Sequence, residues 1–149
     1  MRSTNRKRAL GAVPLVSSAL LFAGGCGSAE TLHAINRSDL VGSWKSSGGD
    51  SMRFSADREV RTHGFSDSGE ENCGDGGVGK WSFYVAMDEA GESLHTSPEA
   101  SEGSLISVRL PGSAEGGCHV DLSVIDAGRS LCIADLDQVC SSGLRFTRQ

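Results

Sequence analysis

From Ser38 onward, apolar residues fall on every second position, in short runs broken by glycine, proline and aspartate. The clearest run is 80–87, where Trp81, Phe83, Val85 and Met87 share one face. A period of two puts alternate side chains on opposite faces of a strand, whereas a helix buries a period near 3.6. The same alternation joins Met52 to Phe54, and Ile106 to Val108 and Leu110. It also joins Val120 to Leu122 and Val124, Leu131 to Ile133, and Leu144 to Phe146. Further strands are expected at 40–46 and from Val60 onward. Turns are expected at Gly48-Gly49-Asp50, Pro111-Gly112 and Asp126-Ala127-Gly128, and polar loops at 66–77 and 88–103. The fold class that follows is all-β: an antiparallel up-and-down sheet or a small barrel of about eight strands, one domain over 38–149.

The first 25 residues are of another kind. Arg2, Arg6, Lys7 and Arg8 form a basic head, and 9–23 is apolar and small. That run falls short of the roughly 20 apolar residues a spanning helix needs. A basic head, a short apolar run and small residues are the parts of an export signal. Ala23-Gly24-Gly25-Cys26 resembles a bacterial lipobox, in which the signal is cut before the cysteine and its sulfur carries a diacylglyceryl group. The resemblance implies a lipoprotein signal at 1–25, with Cys26 as the lipidated residue. The expected location is the extracytoplasmic face of the cell membrane, with the bilayer as first partner. Cleavage after Ala29, at Gly27-Ser28-Ala29, is the competing site. Residues 26–37 are polar and aperiodic, and read as a flexible tether.

Either cut removes Cys26 from the cysteine arithmetic. Cys73, Cys118, Cys132 and Cys140 remain, an even set in an oxidising compartment, and read as two disulfides. Three pairings are open. One of them staples a hairpin between Cys132 and Cys140 and closes a long loop between Cys73 and Cys118. Structural zinc is disfavoured because no C-x-x-C pair occurs.

The formal charge of the whole chain is −5. The basic head holds four of the 14 basic residues, and no acid precedes Glu30, so its removal takes the charge to −9. A surface this acidic, with no basic patch expected to offset it, disfavours nucleic acid and anionic lipid headgroups as partners.

Leu40-Val41-Gly42-Ser43-Trp44 opens the first strand with Gly-x-Trp, and Arg145 and Arg148 lie on the last. This arrangement resembles the lipocalin-like, or calycin, barrels, and the chain also looks like small lipoproteins of GC-rich Gram-positive bacteria. The resemblance implies a barrel closed at one end by Trp44 and Arg148, with the arginine stacked on the indole. It leaves two uses for Trp44, Phe54, Trp81, Phe83 and Phe146: lining a ligand cavity, or filling a core. The function expected is non-enzymatic binding, of a small apolar ligand in the barrel or of an envelope protein at its rim. The alternative is a secreted protease inhibitor built on a similar small barrel, with a rigid loop braced at Cys73.

Sites for chemistry are sparse. Gly74 and Gly79-Lys80 fit the spacing of a phosphate-binding loop, but Trp81 stands where a hydroxyl is needed, and a strand follows instead of a helix. Those glycines read as a turn. His119, Asp121 and Ser123 share a strand face, yet His119 and Ser123 would lie about 14 Å apart, far beyond the roughly 3 Å that proton transfer needs. No metal site is expected from His33, His63, His95 and His119, which fall in separate segments. The acidic stretch around Asp67, Glu70, Glu71 and Asp75 lacks calcium-loop spacing. No cofactor and no catalytic residue are expected.

Overall fold

The computed structural model describes residues 30–65, 73–91, 93–111, 117–135 and 138–149. The signal, Cys26 and the acidic stretch 66–72 lie outside the described residues. The strands are β1 (Ile35–Asn36), β2 (Gly42–Ser46), β3 (Ser51–Phe54), β4 (Glu59–His63), β5 (Gly76–Ala86), β6 (Leu94–Ser97), β7 (Glu102–Gly103), β8 (Leu105–Leu110), β9 (Cys118–Ile125), β10 (Ser130–Ala134) and β11 (Arg145–Arg148). A single helical turn, α1 (Arg37–Leu40), separates β1 from β2.

Strands β2, β3, β4, β5, β8, β9, β10 and β11 pair antiparallel in chain order, and β11 pairs back onto β2. The result is a closed eight-stranded up-and-down barrel, one of the two forms the alternation allows. Inward positions match the apolar series: Trp44, Met52, Phe54, Val60, Trp81, Phe83, Ile106, Val108, Val120, Leu122, Val124, Leu131 and Phe146 are all buried. Eight strands enclose a space just wide enough for such side chains to fill.

Three expectations are corrected. The glycines of "GDGGVGK" do not form only a turn, because Gly76, Gly77 and Gly79 are the first half of β5. A Cβ at Gly79 would run into the carbonyl oxygen of Arg109, so this position lets β5 approach β8 closely enough to pair. The far end of β5 outruns the barrel: Trp81 and Phe83 are buried, but Met87 is 66% exposed. There β5 pairs with β6, within the segment expected to be loop throughout. Finally, the tether ends before Arg37. His33 N–H donates to Val124 O at 2.9 Å, β1 pairs with β7, and Ile35 is 4% exposed. One apolar residue in a polar stretch carries no period, and only its burial reveals it.

The barrel's two ends differ. One holds α1, the β3–β4 turn and the start of β2. The other holds both disulfides, Cys73–Cys118 and Cys132–Cys140, with Cα separations of 4.8 and 5.5 Å.

The walls differ too. Every residue of β10 is buried, on both faces. Against this wall lie the chain entering β1, through His33, and the Cys132–Cys140 loop, whose Ser141 N–H donates to Ile133 O at 3.0 Å. Strand β4, four strands away around the ring, is bare on its outer face.

Candidate functional site

The five aromatics singled out for the interior do fill it. Trp44, Phe54, Trp81, Phe83 and Phe146 are all buried in one cluster. Trp81 meets Phe54 and Phe83 edge to face, with centroids 5.8 and 5.4 Å apart, and Phe146 stacks on Phe65 at 5.9 Å. These are the separations at which aromatic rings attract. Depressions of about 600, 590, 430 and 250 Å³ lie around the described residues, and none of these is lined by any of the five. Of the two uses left open, packing is the one observed.

Trp44 and Arg148 are direct cross-strand partners. Their contact differs from the expected stack. The Arg148 guanidinium donates to the carbonyls of Asp39 and, at 2.9 Å, Val41, while Trp44 Nε1 donates to Leu40 O at 2.9 Å. A helix end leaves carbonyls without partners, and a cation is favoured there. Both side chains therefore tie α1 across the barrel end.

The arginine that does stack on a tryptophan is Arg58. Its guanidinium carbon lies 4.4 Å from the Trp81 centroid and 5.9 Å from that of Phe83. Arg58 is 9% exposed and has φ of 68°, a conformation that costs a non-glycine residue. One nitrogen donates to Ala100 O at 2.7 Å, and Nε and Nη1 have no partner among the described residues. Burial, followed by repulsion from Arg37, holds its pKa below the usual arginine range. Attraction to the ring faces is what offsets this burial. Sequence reasoning passed over Arg58, because an arginine in a four-residue turn carries no local signal of burial.

On the outer surface, β5, β8 and β9 bring four polar groups together. Ser107 Oγ lies 2.9 Å from His119 Nε2, and Asp121 Oδ1 lies 3.1 Å from the same nitrogen. The Tyr84 hydroxyl donates to Asp121 Oδ1 at 2.9 Å and lies 3.4 Å from His119 Nε2. Serine, histidine and aspartate do meet here, but the serine is Ser107 from the neighbouring strand. Ser123, on the same outward row, is fully buried, and its hydroxyl has no partner among the described residues. Its partner across β10 is Cys132, so the disulfide loop covers it.

A triad relay needs its acid and its nucleophile on opposite ring nitrogens. Here both sit on Nε2, and Ser107 is only 2% exposed. The cluster braces three strands. Burial, then the Asp121 hydrogen bond, raises the Tyr84 pKa above its ordinary value of 10.

No protein-family model, curated protein or solved structure matches the chain. Its site must therefore be read from its own surface. Among the described residues no group of three or more metal-ligating side chains gathers, and no helix is long and apolar enough to cross a membrane.

What does gather is positive charge, against the expectation from the sequence. Lys45, Arg53, Arg61, Lys80 and Arg109 all point outward from β2, β3, β4, β5 and β8, and all are exposed. The register sets Arg53 directly opposite Arg61, and Lys80 directly opposite Arg109, whose other partner is His119. Val78, opposite Arg61 and 46% exposed, joins the two rows. Glu59, the acid on β4, is bonded to Arg61 at 3.1 Å and is the register partner of Lys80. Arg53, Lys80 and Arg109 have no ion pair among the described residues. These cations lie far apart in sequence, so only strand pairing makes a patch of them.

Proposed function

We propose that this protein is exported, held on the outer face of the cytoplasmic membrane by a lipid on Cys26, and acts as a non-enzymatic binding module. One observation carries the reading. The four later cysteines are consumed in two disulfides, which leaves Cys26 as the odd sulfur, directly after the apolar run. Disulfides belong to an oxidising compartment, and a lone cysteine in that position is what lipid attachment uses. A packed interior directs the binding role to the barrel's outside. The outer Ser107–His119–Asp121 cluster lacks the geometry of a nucleophile, which supports a role without catalysis.

The test is the intact mass of the purified protein, together with fractionation of Cys26→Ser. A mature chain beginning at Cys26, heavier by a diacylglyceryl group and lighter by four thiol hydrogens, is the expected mass. Cys26→Ser is expected in the soluble fraction. An unmodified chain beginning at Glu30, or a Cys26→Ser variant still bound to membranes, overturns the reading.

A further inference from the structure

We propose that the cationic wall of β3, β4, β5 and β8 is a docking surface for a linear, phosphate-bearing polymer outside the membrane. The wall carries a cost that Glu59, bonded to Arg61 and set opposite Lys80, offsets only in part. Like charges placed directly opposite each other across strands are destabilising. This chain nevertheless pairs Arg53 with Arg61 and Lys80 with Arg109, although acids outnumber bases by 19 to 14. An anion laid along the row relieves both repulsions at once.

The geometry favours a polymer over a small ion. Adjacent strands are about 4.8 Å apart, so the cations from β3 to β8 span roughly 14 Å around the wall. A chain with regularly repeated charges meets them all, whereas a single ion meets one pair. Three of the four cations in the two rows are arginines, whose planar fork bonds phosphate in bidentate fashion. Nucleic acid is the poorer fit. The wall's one aromatic among the described residues is Tyr84, half-buried and tied to Asp121, so bases have no platform to stack on.

Choosing a polymer over the bilayer rests on the anchor proposed above. Glu30 is bonded to Arg145 on β11, and Cys26 lies four residues earlier, within about 14 Å of extended chain. His33 holds the same segment against β9. The anchor therefore pulls the β9–β11 side toward the membrane; β3, β4 and β5, across the barrel, face away from it, and β8, paired with β9, is the wall's edge nearest the membrane.

The experiment measures binding of the full chain in detergent to linear inorganic polyphosphate by titration calorimetry, at 50 and 200 mM salt. Four phosphate contacts predict a loss of affinity of about 50-fold between the two salts. In Arg53→Ser/Arg109→Ser the affinity at 50 mM salt should fall by at least 10-fold, and the salt effect should shrink to about sevenfold. That variant also removes one member of each like-charged pair, so its Tm at low salt should rise by about 1–2 °C. Lys80→Gln should weaken binding in the same direction, which keeps the test open should the double variant fold poorly. Arg129→Ser, off the wall, should bind as wild type does.

The proposal is overturned by absence of binding at 50 mM salt, or by equal binding in well-folded wall variants. Equal affinity for polyglutamate, or binding to anionic phospholipid vesicles without binding to polyphosphate, overturns it too. Attachment is read on Cys26→Ser alone and polymer binding on the wall variants alone, so either reading can fall without the other.

Discussion

Tyr84 is the chain's single tyrosine, so its ionisation can be followed by phenolate absorbance without interference. The fold favours its protonated form, first by burial and then through the bond it donates to Asp121. A raised pKa means that the folded state holds the proton more tightly than the unfolded chain. The resulting stability is fully present below about pH 10 and is lost as pH rises through the folded value. The absorbance midpoint is expected above 10 in the native protein, and Asp121→Asn should bring it down. A native midpoint at or below 10 would contradict the bonded geometry. Arg58 teaches the complementary lesson. Nothing next to it in sequence marks it as buried, because Trp81 and Phe83 reach it from another strand.

Among the elements, β5 departs furthest from its expected form. Its alternation correctly placed Trp81 and Phe83 inside, since both lie where β8 pairs with it. The same alternation misplaced Met87, since period two reports a face and cannot report where the neighbouring strand stops. The glycines before Lys80 misled for a related reason. Glycine is as common at close backbone approaches as in turns, and only the neighbour, here Arg109, separates the two. The disulfides give a prediction at this scale. Cys73–Cys118 spans 45 residues and Cys132–Cys140 spans 8. Loop entropy then assigns about 4 kcal/mol to the first and about 2.5 kcal/mol to the second. Urea unfolding of Cys73→Ser/Cys118→Ser should show the larger loss, and the reverse order would show that chain entropy is not the controlling term.

For the whole molecule, a barrel filled by its own aromatics leaves no room for a small apolar guest. Native mass spectrometry of the purified protein should therefore show no adduct of that class in the barrel. A ligand that co-purifies and is lost on Phe83→Ala would reverse this. The sequence by itself determined the all-β class, most of the strand faces and the cysteine arithmetic, because each depends on periodicity or parity along the chain; it left open whether the sheet closes into a barrel. It also placed Trp44 and Arg148 on the first and last strands, where closure makes them neighbours. Only the tertiary structure decided which wall is covered, where Arg58 goes, and that cations scattered between residues 45 and 109 share one surface. Those are properties of register and closure, which bring together residues that no window along the chain contains.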